Sequence, residues 1–135
     1  MRRKARGLLV LDTGILLSFL QGELKSLLDD IMAGEKIPVI SKISLIEIYY
    51  VLCRRRGFDE AKRILEKILA SGYFKVEDLN DSVMSLAGDC KCKYSISLAD
   101  CIVISTAKKL GTKALFRRES EIEFLAGKEP VELVS

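Results

Sequence analysis

The sequence predicts an α/β protein of three layers, α/β/α, with a central and mainly parallel sheet of four or five strands. Short apolar runs without polar alternation, beginning with Leu8-Leu9-Val10-Leu11, read as buried strands, and they alternate with longer segments of helical periodicity. The composition, 49% hydrophobic and 30% charged over 135 residues, suits a single domain over 1–135 with a substantial core and a basic N-terminal arm at 1–6.

Gly7 to Leu11 is the first strand, ended by Asp12, with Thr13 and Gly14 opening a turn or helix. Residues 14–33 read as helical with a break near Gln21-Gly22. Ile37 to Ile40 is the second strand, in which Pro38 suits an edge or a strand start. Ser41 or Ser44 then caps a helix that runs to Arg56 and stops at Gly57, and the next runs from about Asp59 to Ser71-Gly72. Tyr73 to Val76 is the third strand, and helices follow from about Asn80 to Lys91 and from Ser97 to Leu110, closed by Gly111. Lys113 to Phe116 is the fourth strand and Val131 to Val134 a weaker fifth.

Several classes of protein are excluded early. No apolar stretch approaches the roughly 18 residues of a membrane-spanning helix. The basic start meets Asp12 too soon for a signal peptide, so a cytoplasmic location is expected. The net charge of +3 permits nucleic-acid binding without requiring it. Cys90-Lys91-Cys92 lacks zinc-motif spacing, and Cys53 and Cys101 suit small buried hydrophobes. With 0 histidines, histidine triads, two-histidine zinc sites and histidine general bases are excluded. Walker loops and dinucleotide fingerprints are absent from the sequence.

Against this background three acids stand out, each inside an apolar run: Asp12 after Leu11, Glu47 in Ile43-Ser44-Leu45-Ile46-Glu47-Ile48, and Asp100 before Cys101-Ile102-Val103-Ile104. A buried carboxylate loses several kcal/mol of solvation unless a positive charge compensates it. Each acid also has a plainer explanation. Asp12 suits an N-cap, and Ser44…Glu47 and Ser97…Asp100 both match the capping box. In the helix from about residue 42, Ile43, Ile46, Glu47, Tyr50 and Val51 share one expected core face. A cap explains one acid at a time, whereas a divalent cation explains all three, and oxygen ligands select Mg²⁺ or Mn²⁺.

Leu9-Val10-Leu11-Asp12-Thr13, Ser41-Lys42-Ile43-Ser44-Leu45-Ile46-Glu47-Ile48 and Ser97-Leu98-Ala99-Asp100-Cys101-Ile102-Val103-Ile104-Ser105-Thr106-Ala107 together resemble the PIN-domain nucleases, especially VapC-type toxins, over residues 8–122. The resemblance implies a metal-dependent endoribonuclease in which Asp12, Glu47 and Asp100 bind Mg²⁺ or Mn²⁺ and Thr13 supports the first acid. It implies a further acid after the fourth strand, where Glu119 aligns best and Glu121 is a possible substitute. The usual Thr-small-Asp context is here Arg117-Arg118-Glu119, so the fourth ligand and any second metal stand apart from the family pattern. Arg117 and Arg118 are candidates for RNA phosphate contacts or for neutralising the acids. The resemblance further implies a homodimer and an antitoxin partner, with Ile15-Leu16-Leu17-Phe19-Leu20 and Tyr49-Tyr50-Leu52 as interface candidates that also suit a core.

Three alternatives accompany this expectation. A PIN-like binding module would keep the fold and lose the chemistry, and a housekeeping RNA-processing nuclease would keep both. A receiver-like domain needs an acidic pair near the first strand, where Asp12 stands alone.

Overall fold

The computed structural model describes residues 7–118 and 120–135. Its strands are β1 (Leu8–Leu11), β2 (Ile37–Ser41), β3 (Lys75–Glu77), β4 (Lys113–Arg117) and β5 (Val131–Val134). They form one sheet in the order β3-β2-β1-β4-β5, with every neighbouring pair parallel. The helices are α1 (Thr13–Leu20), α2 (Lys25–Met32), α3 (Lys42–Arg56), α4 (Phe58–Ala70), α5 (Asp81–Lys93), α6 (Leu98–Leu110) and α7 (Ser120–Glu123).

Side chains alternate across a strand, so each strand feeds two cores. Val10, Val39, Ala114 and Phe116 point to one face, where α5 and α6 bring Val83, Ala87, Cys101 and Ile104. Leu11, Ile40 and Leu115 point to the other, where α1 to α4 bring Ile15, Ile31, Ile48 and Ile64. These are the three layers. The chain passes from β1 to β2 and β3 on one side, then returns to β4 and β5 on the other, so the strand order reverses between β1 and β4. In open sheets of this type, ligands bind beyond the carboxyl ends of the strands at that reversal.

Local signals act where the sequence places them. Asp12, Ser41, Asn80 and Ser97 each cap a helix by accepting a backbone N–H, from Gly14, Ile43, Val83 and Asp100 respectively. Gly111, at φ 69°, ends α6 in the left-handed conformation.

Of the two positions open to Pro38 the structure takes the strand start and not the edge: β2 pairs with both β1 and β3, but β3 joins only from Val39 onward. The structure departs from the sequence pattern in several places. β3 begins at Lys75 rather than Tyr73, which is exposed. The expected core face of α3 is also displaced. Ser44, Leu45, Ile48 and Leu52 are buried, whereas Ile46 is 60% and Tyr50 43% exposed. A helix apolar on nearly every side has no single face that periodicity can select, so packing against the sheet makes the choice. Ser44 lies inside α3 rather than at its cap, and its buried Oγ has no hydrogen-bond partner among the described residues, so Ser44 and Glu47 form no capping box. Cys53 is half-buried, unlike the buried Cys101. The basic arm at 1–6 lies outside the described residues.

Candidate active site

Three elements deliver acids to the carboxyl rim of the sheet. Asp12 follows β1 directly, and its N–H still donates to the Leu115 carbonyl of β4 at 3.0 Å. Its carboxylate accepts from the Gly14 N–H at 3.1 Å, so the capping role and a position at the rim coexist in one residue. Glu47 is carried by α3, where Thr13 Oγ1 donates to its Oε1 at 2.6 Å. Thr13 therefore supports the second acid through its side chain, rather than the first. Asp100 stands in the first turn of α6, and its N–H donates to the Ser97 Oγ at 3.0 Å, which completes the serine half of that capping box.

The acids act on one another. Lost solvation is the largest cause that pushes the Asp12 carboxyl up to about 7, and the charge of Asp100 adds to it. Hydrogen bonds from the Gly14 and Thr13 backbone pull the other way, and Glu47 contributes a smaller upward push. A group raised in this way is one whose negative charge lacks a counter-charge. The donors at the rim are oxygens only, which fits a hard divalent cation better than a soft one. Among the described residues, however, no three His, Cys, Asp or Glu side chains close round a common point as a bound ion requires. The three acids are within electrostatic reach of one another, but they do not form a closed ligand shell.

Around this rim the predicted basic residues separate. Arg117, the last residue of β4, donates from one terminal nitrogen to the Ser18 Oγ and, at 2.9 Å, to Glu23 Oε1. Arg118 donates to Glu123 Oε2 at 2.7 Å in an exposed pair. Neither guanidinium neutralises the acids by a salt bridge. Glu121 is exposed on α7, and Glu119 lies outside the described residues. Ser18 and Glu23 have no signal in the sequence, because they meet Arg117 only through contacts 99 and 94 residues apart.

An open parallel sheet with acids at its reversal point defines a class of α/β proteins that place chemistry at the carboxyl rim. The PIN domain profile matches residues 9–127, and the chain belongs to that family. No curated protein matches it in sequence. Among solved structures, VapBC2 from Rickettsia felis bound to a DNA fragment from their promoter is similar, with a TM-score of 0.75 at 15% identity over 95% of this chain and 99% of that one. VapC20 from Mycobacterium tuberculosis, a sarcin-ricin loop cleaving toxin, is similar with a TM-score of 0.66 at 18% identity, over 86% and 93%. VapBC-1 from nontypeable Haemophilus influenzae gives a TM-score of 0.68 at 17% identity, over 95% and 97%. At these identities the likeness is one of fold. No helix among the described residues is long and apolar enough to cross a membrane.

Proposed function

We propose that this PIN-domain chain is a metal-dependent endoribonuclease of the toxin type, in which Asp12, Glu47 and Asp100 hold Mg²⁺ or Mn²⁺. The carrying observation is the buried Asp12 carboxyl at the rim, which is pushed up to about 7 by lost solvation and by the charges of Asp100 and Glu47. Such an arrangement costs free energy in the empty protein, and binding of a cation offsets that cost. The cation supplies Lewis-acid activation of a phosphodiester and of water. The chain's own residues bind and orient. The Gly14 N–H fixes one Asp12 oxygen, the Thr13 hydroxyl fixes Glu47, and Ser97 holds the helix start that presents Asp100. Glu119, or Glu121 in its place, is the proposed further acid, and Arg118 is a candidate for contacts to the RNA backbone.

Fold likeness to the VapBC assemblies supports an antitoxin that covers the rim, and the exposed Ile46 and Tyr50 of α3 suit pairing with a second copy. A second reading, a PIN-like module with weak or no nuclease activity, is favoured by the absence of a closed ligand set among the described residues. Mn²⁺ titration of the metal-free protein, followed by cleavage assays on total RNA, separates the two. The nuclease reading expects Mn²⁺ binding and Mn²⁺-dependent cleavage, both lost in Asp12→Asn with the fold retained. Cleavage undiminished in Asp12→Asn overturns it, and a wild-type chain that binds RNA without Mn²⁺ or cleavage belongs to the second reading.

A further inference from the structure

Arg117 stands next to the place where a ligand is expected. It ends β4 while Asp12 follows β1, and these adjacent strands flank the reversal of the strand order. Gly14 lies against both side chains: a Cβ there would sit tightly, at 3.3 Å, on Asp12 Oδ2 and at an ordinary contact distance of 3.6 Å from Arg117 Cγ.

The guanidinium is held from one side only. Ser18 is 4% exposed and donates its single hydroxyl proton to the Gly14 carbonyl at 2.9 Å, which leaves its oxygen free to accept from Arg117 Nη1. Glu23 accepts from the same Nη1, and the Glu23 N–H donates to the Ser18 carbonyl at 2.8 Å, so the turn after α1 sets where that carboxylate lies. Both contacts use Nη1. Among the described residues no hydrogen bond reaches Nε or Nη2. That open edge is the fork with which arginine pairs side-on with two oxygens of a phosphate. Arg118, one residue on, differs: its charge is paired with Glu123 on the outer surface, away from the contacts that order Arg117.

Resting on the nuclease reading for its substrate class, we propose that Arg117 binds a phosphate of the polynucleotide beside the carboxylates, with Ser18 and Glu23 as positioning residues that leave the Nε–Nη2 edge open for it. A long cation at the end of β4 thus gives the chain itself part of the phosphate recognition.

The test is fluorescence anisotropy of a short labelled oligouridylate in Ca²⁺, repeated over a range of salt, beside Mn²⁺ titration of each variant. Arg117→Ala is expected to weaken oligonucleotide binding about tenfold and to reduce the slope of log affinity against log salt by about 0.7, with Mn²⁺ affinity unchanged. Arg117→Lys keeps the slope and regains part of the affinity, because the charge remains and the fork is lost. Glu23→Gln raises KM for cleavage more than it lowers kcat. Should Arg117→Ala fail to fold, Arg117→Lys and Glu23→Gln give the same decision. Wild-type affinity and slope in Arg117→Ala overturn the proposal, as does a parallel loss of Mn²⁺ binding, which marks a structural role. The anisotropy needs no cleavage. A chain without Mn²⁺-dependent activity but with the Arg117 effect refutes the nuclease reading alone, and an active nuclease without that effect refutes this inference alone.

Discussion

α6 and α3 each bring one acid to the rim, and they are built in opposite ways. α6 packs against β1, β2, β4, α3 and α5, and Cys101 to Ala107 are all buried. α3 also packs against the sheet, yet it buries only Ser44, Leu45, Ile48 and Leu52 and exposes Ile46 and Tyr50. Both helices carry long apolar stretches, although α3 is the more polar of the two because it ends in Arg54-Arg55-Arg56. The difference is one of surroundings: Cys101 to Ala107 of α6 lie between the sheet, α3 and α5, whereas α3 packs against α1, α4, α6 and β2 and still leaves Ile46 and Tyr50 uncovered. Asp100 is thus carried by a helix with little freedom to shift, and Glu47 by one whose exposed face is open to a partner.

The largest expected contrast is in stability. Ile104→Ala in α6 should cost about 2–5 kcal/mol because it opens a cavity in a fully packed layer, whereas Ile46→Ala in α3 should change stability by less than about 0.5 kcal/mol. Chemical denaturation of both variants checks this, and equal losses would remove the distinction between the helices.

The next contrast is electrostatic. In the metal-free protein the folded Asp12 keeps its proton up to about 7, while the unfolded chain releases it near 3.8, so the folded state binds the extra proton between those values. Stability from this group is therefore highest below 3.8, falls as pH rises through that window and levels off above about 7. Asp12→Asn should remove the fall and stabilise the metal-free protein above neutral pH by up to about 4 kcal/mol. Asp100 acts on Asp12 more strongly than Glu47 does. In a carboxyl NMR titration, Asp100→Asn should consequently lower the Asp12 pKa further than Glu47→Gln, and the reverse order would place the stronger coupling with α3.

The smallest contrast concerns two serines. Ser97→Ala removes the hydrogen bond that starts α6 and should cost about 1 kcal/mol. Ser44 Oγ is buried in α3 without a partner among the described residues, so Ser44→Ala should be close to neutral or stabilising. Thermal unfolding of both variants decides the pair.

These contrasts also mark how far the sequence can be read. The strand and helix order follows from runs, caps and glycines, and Asp12, Glu47 and Asp100 are visible because an acid in an apolar run stands out against its neighbours. The outward side of α3 is not visible, since Ile43, Ile46, Leu45 and Ile48 offer more than one apolar face. Nor is the full role of Thr13, whose backbone supports its sequence neighbour Asp12 while its hydroxyl reaches Glu47. The pairing of Arg117 is hidden in the same way, because its partners lie in and after α1.

The sequence by itself determined the α/β alternation, the caps that begin the helices and the set of acids, because those depend on interactions between residues a few positions apart. Only the tertiary structure decided that Thr13 holds Glu47 across 34 residues, that Arg117 is fixed by Ser18 and Glu23 across 99 and 94, and which side of α3 meets the sheet. Those contacts exist because β1 became a neighbour of β2 on one side and of β4 on the other, and strand adjacency is set by packing of the whole chain rather than by any local pattern.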